Sequence, residues 1–278
     1  MGSEVDYYKR SDVKRAVLDF TRAGDGRVVR ECAFFNGRTK SMQRYLSYGD
    51  AERGRPIIFD SELAFEEALR AGASAFYCSY WRYAQPKESL HPLGHDLVWT
   101  IRATNGGLRF AKEVTAAMLD ALADCGLYEP WVKYSGELGF DLVIPLEAIP
   151  NDAWSGDLKT LADIQGALTS HIVSYLSERS AGFQFRTANS HISIGKGSDT
   201  CLLHELRLRR GLLLAPMSLN PKSGLVSLPL VPDRVASFSV LDASPSDTSA
   251  TEWAASKISW RQTPQWGVAL EEVKAGVF

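Results

Sequence analysis

The chain has 278 residues, of which 45% are hydrophobic and 23% charged, proportions that exclude a disordered chain and suit one large α/β domain or two closely packed subdomains. A formal net charge of −2 gives no global attraction to a polyanion, so any nucleic-acid binding has to come from a local basic surface. The chain has no uncharged apolar run of about 18 residues, and Met1-Gly2-Ser3-Glu4 lacks a basic-then-apolar leader, so a soluble intracellular protein, cytoplasmic or nucleoid, with no membrane partner is expected.

In chain order, residues 60–72 read as a short helix with Leu63, Ala64, Ala68 and Leu69 on one side and Gly72 as its stop. Ala75 to Tyr83 is dense in aromatics and reads as a strand. A loop holding Pro86 and Pro92 leads to a second strand, Asp96 to Arg102. Phe110, Val114, Met118 and Leu122 have helical spacing over 108–125, closed by Gly126 and Pro130. Trp131 to Pro145 reads as two short strands around the turn Ser135-Gly136-Glu137-Leu138-Gly139. A third helix over 161–177 buries Leu161, Ile164, Leu168, Ile172 and Leu176. Residues 183–230 are mostly strand-like. The polar run from Asp242 to Ala250 reads as a solvated linker, and Trp253, Trp260 and Trp266 imply that the segment after it docks on the body. The expected division is therefore 1–241 as one domain and 242–278 as linker and docked segment.

Cys32, Cys78, Cys125 and Cys201 are far apart and form no Cys-x-x-Cys pair, so buried free thiols are expected rather than disulfides or a zinc cluster. His91, His95, His171, His191 and His204 show no ligand spacing on one helix face; His91 and His95 fall in the proline loop, where exposure is the default. Gly195-Lys196-Gly197 lacks the earlier glycine of a phosphate loop and the Ser or Thr that should follow the lysine, and reads as a turn, as does Gly24-Asp25-Gly26. Arg207, Arg209 and Arg210 form the densest basic cluster, which suits a nucleic-acid backbone or, equally, a solvated strand edge.

Several segments share the order and spacing of a known family. They are Tyr7-Tyr8-Lys9-Arg10, Arg30-Glu31-Cys32-Ala33-Phe34, Met42 to Ser47, Phe76 to Tyr80, Asp96 to Arg102, Tyr134 to Asp141 and Met217 to Leu225. Together they resemble the archaeo-eukaryotic primase family, and in particular the small, catalytic subunit of DNA primase. The resemblance implies an α/β core in which two sheets flank a cleft with packed helices, here without the zinc module of many relatives. It also implies nucleotidyl transfer with two divalent metals held by carboxylates, two of them alternating on one strand.

At those positions this chain has Thr100 and Arg102, a poor ligand and a cation. Leu202 stands where a third acidic ligand is implied, with Asp199 and Glu205 close enough to leave that register open, and Asp141 and Asn220 replace two motif histidines. What the resemblance leaves in place would hold a phosphate: Ser135, Gly136 and Gly139 in a turn, Ser218, Lys222 and Ser223 around a lysine, with Asn220 beside them and Arg102 as an added cation. The reading is a primase-like protein stripped of its metal chemistry, a pseudoenzyme that needs no cofactor. It would bind nucleoside triphosphate or nucleic acid, or serve as a noncatalytic subunit, with a primase large subunit or other replication protein as partner in replication or repair. Two alternatives stand beside it. One is an active primase or polymerase using Mg²⁺ or Mn²⁺ on relocated ligands (Asp96, Asp141, Asp199 or Glu205), and the other is a scaffold that binds no nucleotide.

Overall fold

The computed structural model describes residues 2–46, 54–179, 182–207, 209–248 and 259–260. Two short helices, α1 (Gly2–Lys9) and α2 (Ser11–Phe20), precede a sheet built from β1 (Cys32–Asn36), β2 (Ser41–Gln43), β3 (Ala73–Ser79) and a later strand. Between β2 and β3 lies α3 (Glu62–Ala71). Ser61 starts it by accepting a hydrogen bond from the Ala64 amide at 3.2 Å, and Gly72 ends it at φ +104°, a left-handed value that favours glycine. Its buried face is Phe65 and Ala68, whereas Leu63 is exposed. The helix is thus where the spacing placed it, rotated so that Phe65 stacks on Phe76 of β3 at 4.3 Å between ring centroids.

The aromatic run from Ala75 to Tyr83 is not one strand. β3 ends at Ser79, and Trp81–Gln85 pairs instead with Ser89–His95 in a separate hairpin. Pro92, expected in a loop, sits inside that hairpin opposite Tyr83, where the register shifts on both sides. Such an irregularity is where a strand tolerates proline, because no ladder amide is needed there. His95 is accordingly buried, with Nδ1 2.9 Å from the Asp96 carbonyl oxygen, not exposed as its loop setting suggested.

The second part of the chain builds the larger sheet from β4 (Leu97–Asn105), β5 (Trp131–Tyr134), β6 (Gly139–Ile144), β7 (Gln184–Ala188), β8 (His191–Lys196) and β9 (Asp199–Glu205). The strand β10 (Leu212–Leu214) crosses back to the first sheet, and β11 (Pro229–Leu230) completes the second. The orders are β10-β3-β1-β2 and β7-β8-β9-β4-β6-β5-β11, with antiparallel pairing throughout.

Helices α4 (Gly107–Asp124) and α5 (Leu158–Arg179) cover one face of the larger sheet. All nine apolar residues that define their stripes in sequence are fully buried, and Trp99 on β4 reaches α5 through an indole N–H donated to Thr169 at 2.8 Å. Residues 215–228, expected to be largely strand, are turns closed by Met217 N–H to Ser227 O (2.8 Å) and Asn220 N–H to Leu225 O (2.8 Å).

The run after Leu241 is not simply solvated. Ser239 caps a 3₁₀ turn over Val240–Ala243, Ala243 and Thr248 are buried, and Arg10 donates to the carbonyls of Pro245 (3.0 Å) and Thr248 (2.5 Å). Ser259–Trp260 pairs with Leu127–Tyr128, while Trp253 and Trp266 lie outside the described residues. The four cysteines are free and buried, as expected. No helix among the described residues is long and apolar enough to cross a membrane.

Candidate functional site

Side chains alternate along β4, so Leu97, Trp99 and Ile101 point to the helices while Thr100 and Arg102 share the opposite face. Register then dictates their company. Thr100 lies opposite Asp141 on β6 and His204 on β9; Arg102 lies opposite Gly139 and Leu202. Arg102 does not reach out across the cleft. Its Nη1 donates to the carbonyls of Ile101 (3.0 Å) and Phe140 (2.9 Å), and its Nη2 donates to Asp141 Oδ1 at 2.5 Å.

The other Asp141 oxygen takes a hydrogen bond from Lys133 of β5, whose ammonium also donates to Ser227 Oγ at 2.8 Å. Lys133 and Asp141 are almost fully buried, and the Arg102 side chain is one-third exposed. Burial alone would raise the Asp141 carboxyl, but Arg102 and Lys133 outweigh it and hold the group below the usual carboxylate range. Burial, helped by the nearby Arg102, draws the Lys133 ammonium down from its ordinary value against the pull of Asp141.

This donor set does not fit a two-metal centre. Hard divalent cations need several oxygen ligands, and here the one carboxylate has both oxygens occupied by fixed cations, beside a threonine and an arginine. Among the described residues no three His, Cys, Asp or Glu side chains stand close enough to share an ion.

The carboxylates considered as replacements are engaged elsewhere. Asp96 is fully buried, with Arg30 Nη2 2.6 Å away, Arg82 Nε donating at 2.8 Å and the Leu146 amide donating at 3.0 Å. Burial acts to raise its carboxyl, and the two guanidiniums hold it low. Asp199 pairs with Arg109 of α4, and Glu205 accepts from Thr169 of α5 and pairs with Arg207 at 2.7 Å. Both turn to the helix side, away from Thr100.

The glycine turn and the lysine loop do meet. Gly136 has φ +80°, and a side chain there would lie 2.7 Å from Asn220 Cβ; a Cβ on Gly139 would lie 1.8 Å from the Ile101 carbonyl oxygen. Asn220 accepts from the amides of Lys222 (2.9 Å) and Ser223 (3.3 Å) and donates to Ser135 O at 3.4 Å, while Ser223 Oγ donates to Gly136 O. Lys222 projects into solvent and pairs with Glu137.

Ser218 is not part of this rim. It is fully buried, accepts from the Phe76 amide at 2.7 Å and touches Tyr8 Oη at 3.2 Å, so its hydroxyl ties β3 to the N-terminal helices instead of facing a ligand. The arginine cluster is divided as well. Arg207 pairs with Glu205, Arg209 is exposed, and Arg210 packs over Tyr45 and joins Arg44 on the buried Glu31 carboxylate, whose hydrogen bond holds the Arg210 guanidinium above its ordinary pKa.

Sequence reasoning missed Lys133, although the signal was present: Lys133 and Asp141 are equidistant from the centre of the 135–139 turn, so a simple hairpin makes them neighbours. It also missed a row across the open face. Arg186, Ser193, Leu202 and Arg102 lie side by side on β7, β8, β9 and β4. With Asp199 and Glu205 turned to the helices, Asp141 is the carboxylate on this face of those strands and β6, and two cations neutralise it.

No protein-family model matches the sequence, and no curated protein matches it. Among solved structures, the chain is similar to the polymerase domain of Ligase D from Mycobacterium tuberculosis, in complex with DNA. The TM-score is 0.57 at 17% identity, over 97% of this chain and 87% of that one. The described part therefore has the fold of that polymerase domain, a mixed α/β core of two sheets and packed helices.

Proposed function

We propose that this chain is a primase-polymerase-type protein that has exchanged metal-dependent nucleotidyl transfer for phosphate recognition. It acts as a nucleotide- or nucleic-acid-binding, noncatalytic component of DNA replication or repair. One observation carries the reading: the Arg102–Asp141–Lys133 chain fills the face of β4 and β6 where a pair of metal-binding carboxylates is implied. Two fixed cations around one carboxylate leave a net positive charge there, with a third of Arg102 open to solvent.

A phosphate at the rim meets the free edge of the Arg102 guanidinium, and Arg186 stands three strands away in the same row, about 14 Å, to receive a more distant phosphate of a strand. Lys222 adds a mobile charge after leaving Glu137, a surface pair worth about 1 kcal/mol or less. The DNA bound by the similar polymerase domain supports a nucleic-acid ligand here. The reading with relocated metal ligands has no comparable support, because Asp96, Asp199 and Glu205 are committed to ion pairs or to the helix side.

Isothermal titration in EDTA tests the proposal. The expected result is binding of a nucleoside triphosphate or a short single-stranded DNA at low salt, weakened by added salt and by either Arg102→Ala or Lys222→Ala. Absence of binding to both ligands at low salt would favour a scaffold. Native co-purification with replication proteins is the expected companion result for a subunit.

A further inference from the structure

His191 opens β8 and His204 lies near the end of β9. The strand register, with Ile192 opposite Leu203, sets the two rings side by side on the open face, centroids 5.4 Å apart and planes inclined by 48°. Both residues are partly exposed. Nδ1 of His204 lies 3.1 Å from the Ser190 carbonyl oxygen, which can only accept, so in the neutral ring the proton sits on Nδ1 and the Nε2 lone pair is free. Nδ1 of His191 lies 3.3 Å from the hydroxyl of the same serine. One residue thus holds both rings by Nδ1, and neither Nε2 has a hydrogen-bond partner among the described residues.

We propose that His191 and His204 chelate a divalent transition metal of the imidazole-preferring class, such as Zn²⁺, through their Nε2 atoms. A backbone carbonyl on the far ring nitrogen, as Ser190 supplies to His204, is the usual support of a metal-binding histidine, since it fixes tautomer and orientation together. The Ser190 hydroxyl accepts from His191 Nδ1–H when that ring binds metal through Nε2. Two protein ligands leave the remaining positions to water, so the site is open and weaker than a closed structural zinc site. Hard cations such as Mg²⁺ are not held, because the site offers no carboxylate oxygen. Arg102 and Arg186, in the adjacent row, disfavour any added cation and so weaken the site and limit it to one metal, and Thr100 next to His204 is neutral. The four buried thiols do not compete for the added metal.

The full chain titrated calorimetrically with ZnCl₂, without nucleotide, should bind one equivalent. Affinity should fall about tenfold or more in both His191→Ala and His204→Ala and stay unchanged in His91→Ala. In the wild type, long-range ¹⁵N spectra should show the Nε2 signals of His191 and His204 shifting on Zn²⁺ addition while those of His95 stay in place, a readout independent of how the variants fold. Absence of saturable one-equivalent binding in the wild type, or equal affinity in wild type and both variants, overturns the proposal.

Discussion

Asp141 is the residue on which the interior charges of the larger sheet depend. Replacing it by Asn leaves Lys133 buried at zero exposure without its counter-ion, and breaking a buried pair in this way costs about 3–5 kcal/mol. Urea unfolding of Asp141→Asn should show that loss, whereas Lys133→Met combined with Asp141→Leu should recover much of it, since the cost lies in the orphaned charge. The sign of the pH dependence follows from the same site. Asp141 and Asp96 both titrate below their unfolded values, so their contribution is complete above the unfolded carboxyl value near 4 and is lost as the pH falls through the lower folded values. The wild-type urea midpoint should drop steeply below about pH 4, and the Asp141→Asn midpoint should drop less.

At the scale of elements, the β5–β6 hairpin turns on two glycines that do different work. Gly136 supplies a left-handed turn residue; Gly139 lets β6 press against the β4 backbone. Gly139→Ala forces these strands apart at the row holding Arg102, and a loss of about 3 kcal/mol or more is expected in chemical denaturation, with disturbed amide signals at Ile101 and Arg102. This hairpin and the helices α4 and α5 were legible in sequence because their signals are local: a 3.6-residue period, a glycine turn, a stop. The break at Tyr80, the proline inside a strand and the burial of His95 were not. Each depends on a partner supplied by the fold, as does Glu31, whose ion pair with Arg210 spans 179 positions. The residues expected to hold a phosphate divided along the same line. Ser135, Gly136, Asn220, Lys222 and Ser223 come together because two turns meet, while Ser218 belongs to the core since Phe76 and Tyr8 claim its hydroxyl.

For the whole molecule, a net charge of −2 coexists with an open sheet face on which Arg186 and a third of Arg102 are exposed and the carboxylate, Asp141, is buried under two cations. Binding driven by such a face weakens with salt through counterion release, and Arg186→Ala should lower affinity for a DNA strand more than for a mononucleotide, which titration of both ligands measures. Template-directed synthesis with Mg²⁺ or Mn²⁺ should stay at the level of a buffer control in primer-extension assays. On the proposed reading, the buried ammonium of Lys133 also makes the loss of such chemistry hard to reverse. A return to an acidic pair through Thr100→Asp and Arg102→Asp would leave Lys133 in contact with Asp141, an internal cation already occupying the charge that a metal would need. Thr100→Asp alone would set a second carboxylate beside Asp141 at a nearly buried position, and Arg102→Asp alone would remove one of the two cations on Asp141, so the route to a working centre passes through less stable proteins unless position 133 changes too. If the chain is the phosphate-binding protein proposed above, Lys133 acts as a ratchet that holds its descendants to binding.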